Sequence, residues 1–228
     1  MGILGKPTLK QTLDALKNQV LVGKSYLDVA KGLLQADPVI IQTAPTFFGL
    51  TLDGSLELAQ IAIARLYDRT RGTITMMAAL WEAANQRDTF QRGDRTRINE
   101  AILTSARRLI GIQPIIDAIR RRRNEWLAHL DPRTVADPKA LSAKAKLSIP
   151  DLELAFQETE ETLLELSSLY EGIIGDLQFI GGDDYKNALN WIRMAKCVFI
   201  ENFEKEFGAG SWTGPRPKYC SRKPYDMI

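Results

Sequence analysis

The chain has 228 residues, 45% of them hydrophobic and 25% charged, with a net charge of +2, a composition ordinary for a soluble globular protein with a sizeable core. Two cysteines, Cys197 and Cys220, make no disulfide framework and cannot by themselves close a zinc site, which needs three or four protein ligands. The length fits one large domain better than two, and no uninterrupted apolar run approaches the roughly 18 residues of a membrane span.

The charge is unevenly spread. From Arg65 to Arg133 there are fourteen arginines, no lysine and eight acids, hence +6, which leaves −4 for the remainder. A guanidinium fork binds phosphate bidentately and keeps its charge when partly buried. On composition alone, however, such arginines read as solvated helix surface or salt-bridge partners.

In chain order, Leu9, Leu13, Leu16, Val20, Leu27, Ala30, Leu33 and Leu34 recur at helical steps and predict an amphipathic helix over 8–35, interrupted at Gly23 and closed by Asp37-Pro38. Val39 to Pro45 reads as a connector with some β character. Thr46 to Asp68 predicts a second helix, with Asp53-Gly54-Ser55 able to break its first part. Thr73 is the expected N-cap of a helix over 74–85, which places Met77, Leu80, Trp81 and Ala84 on its core face. Asp94 caps a helix through Ile98, Ile102, Ala106 and Leu109, divided at Gly111 and Pro114 from a continuation over 115–130. Asp131 to Ser148 reads as a long exposed linker. Ser148 and Asp151 resemble a capping box before a helix through Leu152, Phe156, Leu163, Leu166 and Tyr170. Asp183 or Asp184 starts a last helix ended at Phe207 by Gly208.

These elements predict an all-α fold, an antiparallel bundle of about five or six helices, occupying residues 1–208 as a single domain. The tail, 209–228, holds three prolines and several basic residues and is expected to be extended or disordered. The beginning of the chain lacks the features of a signal peptide, so a reducing cytoplasm is the expected location.

The candidate chemistry is concentrated in Arg120-Arg121-Arg122-Arg123-Asn124-Glu125-Trp126-Leu127-Ala128-His129, before the helix-ending Pro132. His129 is the sole histidine. No glycine-rich phosphate loop, di-metal Glu-x-x-His pair or Ser/His/Asp signature is present. At ~100° per residue, Arg122 is nearly eclipsed with His129, whereas Arg123 differs by ~120° and reaches it through a long side chain. Arg120 and Arg121 point elsewhere and read as surface charge. Trp126 reads as core. His129 at a helix end can also simply meet the helix dipole and the last carbonyls.

The run from Arg123 to His129 resembles the Arg, polar residue, four intervening residues, His pattern of the HEPN superfamily. Leu130-Asp131, Ala44-Pro45-Thr46-Phe47-Phe48 and Ala64-Arg65-Leu66-Tyr67-Asp68 make it similar to the abortive-infection branch. The resemblance covers roughly Leu9 to Ile200 at the level of helix order. It implies a HEPN-like bundle that cleaves RNA without a metal or other cofactor, as a homodimer, in toxin–antitoxin or antiviral defence. It assigns His129 as acid/base, Arg123 as phosphate clamp and Asn124 as an orienting group. Arg122, Arg65 and Asp68 support the substrate, and a nucleotidyltransferase-like antitoxin is the implied partner. The alternative is a HEPN-like module that binds nucleotide or protein without turnover.

Overall fold

The computed structural model describes residues 7–70, 72–124, 145–172, 184–218 and 220. Among them the chain is built from α-helices and one 3-10 turn, with no strand, as the periodicity predicts. In order these are α1 (Leu9–Gln35), α2 (Pro38–Ile41), α3 (Pro45–Leu66), α4 (Met76–Asn85), the turn Arg87–Thr89, α5 (Arg95–Gly111), α6 (Gln113–Arg122), α7 (Ile149–Glu171) and α8 (Asp184–Phe207).

Most helix ends follow side-chain chemistry. Asp94 accepts the Arg97 N–H at 2.8 Å and starts α5. Ser148 and Asp151 form a reciprocal capping box at α7, with Pro150 in the first turn, where its missing N–H costs no bond. Gly172 closes α7 at φ 70°. Two boundaries differ from the sequence expectation. The stretch after Asp37 is helical, because Asp37 accepts the Val39 N–H at 2.9 Å and Pro38 occupies the first turn, and these start signals outweigh the β-branched run. Thr75, rather than Thr73, caps α4, accepting the Ala78 N–H at 3.2 Å. Met76, Ala79, Leu80 and Ala83 form its buried face, while Met77 and Trp81 are 60% and 64% exposed. Helix α3 runs unbroken through Asp53-Gly54-Ser55.

The chain divides into two compact units, the first Met1–Leu27 with Leu56–Phe179, the second Asp28–Ser55 with Ile180–Ile228. In the first, Leu9, Leu13, Leu16 and Val20 of α1 join one core with Ala59, Ile63 and Leu66 of α3, Ile116 and Ile119 of α6, and Phe156, Leu163 and Leu166 of α7. Each such large side chain contributes roughly 1.5–3 kcal/mol on burial. Helices α1 and α7 are antiparallel: Lys10 pairs with Glu171 near one end, and Lys24 with Glu160 at 2.6 Å further along. Between them Gly23 meets the Phe156 ring so closely that a Cβ there would sit 2.5 Å from it. The glycine read as an interruption is therefore a close-packing point. Helix α5 is tied to α7 by Arg108, which lies 2.7 Å from Glu165, 3.8 Å from Glu161 and 3.9 Å from Glu158. Part of the arginine surplus is thus neutralised by the acids that lie off α7's apolar stripe.

In the second unit, Leu33, Ile40 and Phe48 form a small core to which Leu189 and Ile192 of α8 add. The described tail residues form no helix and are held on this unit by side-chain contacts. Trp212 packs edge-on to Phe199 and Phe203 with ring centroids 5.7 and 5.5 Å apart. Arg216 pairs with Glu204, the Lys218 N–H reaches Asp37 at 2.6 Å, and Cys197 and Cys220 are joined as a disulfide. Two cysteines make no framework, but this pair suffices to pin one segment. Among the described residues α3 is also long and apolar enough, by length and composition, to cross a membrane. The sequence estimate counted only uninterrupted runs. Ala59, Ala62, Ile63, Ala64 and Leu66 of that helix are nevertheless core of the first unit.

Candidate functional site

The turn after α3 is built around Tyr67. Its side chain is buried, and its hydroxyl lies 2.6 Å from Thr159 Oγ1. Thr159 spends its own proton on the Ala155 carbonyl, so Tyr67 is the donor. Burial pushes the Tyr67 hydroxyl well above the ordinary tyrosine range, and it stays a neutral anchor. With Tyr67 fixed, Asp68 folds the next residues back: its Oδ1 accepts the Thr70 N–H at 3.0 Å and the Thr70 hydroxyl at 2.9 Å. These hydrogen bonds hold its carboxyl below the ordinary aspartate range, and the Arg123 cation adds to them. Thr73 donates its hydroxyl to the Thr70 carbonyl at 2.7 Å, closing the turn that leads to Thr75 and α4.

Helix α6 faces this turn with Gln113, Asp117 and Arg120, spaced four and three apart on one stripe. Gln113 Nε2 donates to Asp117 Oδ1 at 2.8 Å. The same carboxylate lies 3.5 Å from Arg120 and 4.0 Å from Arg69 of the turn. Arg120 donates to the Tyr67 carbonyl. It is therefore not surface charge, as the sequence suggested, but the tie between α6 and the turn. Burial holds its pKa below the ordinary arginine value, with the Arg69 cation the next cause.

Turn and helix enclose a cleft of about 540 Å³. Its wall carries Asp68, Arg69, Thr70, Gln113 and Arg120, and its floor carries Met77, Ala78, Leu109 and Ile110. Beside it, Arg123 continues the helical backbone of α6 at φ −55°, ψ −49°. Arg123 Nε donates to Asn124 Oδ1 at 3.0 Å, so the two expected motif residues are coupled to each other. Arg123 is among the charges acting on both Asp68 and Arg120.

The expected site residues thus separate. Asp68, Arg123 and Asn124 gather at the turn and the end of α6. On an ideal helix Arg122 lies ~100° from Arg123 and ~200° from Arg120, away from the Tyr67 carbonyl. Arg65, in the last turn of α3, is exposed and does not line the cleft. His129, with Glu125 and Trp126, lies outside the described residues. Sequence reasoning missed Arg69, Asp117 and Arg120. The polar stripe Gln113-Asp117-Arg120-Asn124, at steps of four, three and four, was the signal for them. Among the described residues no group of acids, histidines and cysteines is arranged to hold a metal ion.

Residues 8–190 match the family model HEPN_AbiU2, described as AbiU2. No curated protein and no solved structure matches the chain.

Proposed function

The chain belongs to the AbiU2 family of HEPN-type abortive-infection domains, and on that premise we propose that it is a metal-independent endoribonuclease of a toxin or antiphage system. The observation that carries this reading is the coupling of Arg123 to Asn124 at the end of α6, beside Asp68, within the matched region. The reaction needs little equipment. His129 removes the proton from an RNA 2′-hydroxyl, a step for which imidazole is the side chain suited at neutral pH. That oxygen attacks the adjacent phosphorus, the bond to the 5′-oxygen breaks, and the leaving oxygen takes a proton. The products are a 2′,3′-cyclic phosphate and a 5′-hydroxyl. Arg123 neutralises charge that builds on the phosphoryl oxygens. Asn124, whose Oδ1 is engaged by Arg123, keeps its amide N–H groups for the substrate or the opposing histidine.

One copy offers one histidine, so the working unit is a homodimer whose two motifs face one cleft, restrained by a nucleotidyltransferase-like antitoxin. The test is incubation of the purified protein with RNA in EDTA. Cyclic-phosphate ends that are lost in His129→Ala are expected. Indistinguishable products from wild type and variant sink the nuclease reading, and salt-dependent binding without cleavage moves it to a binding module.

A further inference from the structure

We propose that the cleft between the 67–75 turn and α6 is a subsite for one unpaired RNA nucleotide next to the scissile phosphate. Arg69 and Arg120 meet its phosphate, Met77 and Ile110 lie under its base, and Gln113 meets the base edge. The assignment of RNA rests on the nuclease reading above.

Size admits such a ligand: about 540 Å³ lies within the range of roughly 300–1,000 Å³ that small-molecule sites occupy. Charge selects for an anion. Among the described residues, Arg69, Arg120 and Arg123 stand against Asp68 and Asp117, so three cations face two anions there. A phosphodiester supplies one negative charge. The floor selects for something flat and apolar attached to that anion. Met77 and Ile110 are 60% and 70% exposed although they belong to the two packed helices α4 and α5, and both line the cleft beside its polar residues. Inorganic phosphate leaves that floor uncovered; a nucleobase covers it, with the methionine sulfur suited to an aromatic ring edge.

Gln113 adds a polar edge. Its Nε2 gives one N–H to Asp117, which leaves Oε1 and the second N–H for a base edge. The choice among bases comes from the apolar floor, which favours the larger adenine face over uracil. Duplex RNA keeps its base edges paired and its base faces stacked, so the subsite takes single-stranded RNA.

The experiment uses the full chain carrying His129→Ala, so that binding is read apart from cleavage, and labelled single-stranded RNA decamers followed by fluorescence anisotropy. An adenine-rich decamer is expected to bind several-fold tighter than oligouridine, and a duplex of the same length weakest. Ile110→Asp, at an exposed position that leaves the core intact, is expected to weaken adenine-rich binding by about tenfold, the scale of one lost stacking contact. Met77→Asp gives a second reading of the same floor. Arg95→Ala, at the surface pair with Asp88 away from the cleft, serves as the unaffected control. Unchanged affinity in both floor variants overturns the subsite, as does equal binding of adenine-rich RNA and oligouridine. If wild type cleaves RNA and Ile110→Asp leaves kcat/KM unchanged, the subsite fails while the nuclease stands. If RNA binds, weakens in Ile110→Asp and is never cleaved, the nuclease fails while the subsite stands.

Discussion

Arg120 donates a hydrogen bond to the backbone carbonyl of Tyr67, joining the end of α6 to the turn that follows α3. The donor is charged, and its side chain keeps only 17% of its surface exposed. Removing it strands a partly buried carbonyl and leaves Asp117, among the described residues, with Arg69 and Gln113. Arg120→Ala is expected to lower stability by about 1–3 kcal/mol, the cost of an orphaned buried acceptor. Urea denaturation measures this, and Arg120→Lys is expected to recover only part, because an ammonium cannot reproduce the fork. A variant as stable as wild type contradicts the tie.

Gly23 and Phe156 set the closest approach of α1 and α7. An added Cβ would lie 2.5 Å from the ring and 2.8 Å from Ala62 Cβ. Alanine gains about 1 kcal/mol of helix propensity over glycine at an unhindered site. Here the overlap costs about 1–3 kcal/mol and outweighs that gain. Gly23→Ala is therefore expected to be net destabilising in denaturant, and Gly23→Ala with Phe156→Leu less so than the sum of the two changes. A stabilised single variant refutes the packing argument.

Glu204 holds the tail through Arg216 and the Gly210 N–H, the latter at 3.0 Å. The Arg216 hydrogen bond, before any other cause, holds its carboxyl below the ordinary value of 4.5. A carboxylate lowered in this way favours docking above its free value and loses that contribution as pH falls through its lowered value. The tail is expected to stay docked at neutral pH and loosen in acid. The Trp212 indole N–H resonance, followed from pH 7 to pH 3, reports this. Glu204→Gln is expected to remove the transition, and an unaltered titration in that variant rules out Glu204 as its source.

The disulfide between Cys197 and Cys220 spans 23 residues. By loop-closure entropy such a link contributes on the order of 3 kcal/mol to its own unit. Dithiothreitol is expected to lower the thermal midpoint and to open the tail to trypsin at Lys218, since Arg216 is shielded by the following Pro217. Cys197→Ser with Cys220→Ser is expected to behave as the reduced protein and to be insensitive to reductant.

The helices were legible because their apolar spacing survives in the cores. Leu9, Leu13, Leu16 and Val20 are buried as read. Asp94 and Ser148 cap where their chemistry predicts. What failed was register and long-range pairing. Two threonines compete at 73 and 75, and the apolar residues of α4 fit two overlapping faces, so Met77 and Trp81 read as core although Met76, Ala79, Leu80 and Ala83 are buried. Arg120 looked like one of four equivalent arginines, because nothing local reveals that the Tyr67 carbonyl waits opposite it. The tail looked polar and unstructured, since its anchors on α8 and at Asp37 are distant in sequence.

The same long-range information bears on which arginine would act with His129 in the proposed nuclease. Ideal helix geometry alone favours Arg122, nearly eclipsed with the histidine position, at ~100° per residue. The gathered charges favour Arg123, which acts on Asp68 and Arg120 and is bonded to Asn124. An arginine that clamps a developing dianion contributes through transition-state binding, so its loss lowers kcat more than it raises KM. Arg123→Ala is accordingly expected to reduce RNA cleavage by about 100-fold or more, the scale of one oxyanion-stabilising donor. Arg122→Ala is expected to cost less than about tenfold, mainly in KM, as a lost phosphate contact weakens binding without touching the chemical step. Single-turnover cleavage of one labelled RNA by both variants separates the cases. A larger kcat loss in Arg122→Ala transfers the clamp to that residue and detaches the cleft beside Asp68 from the chemistry.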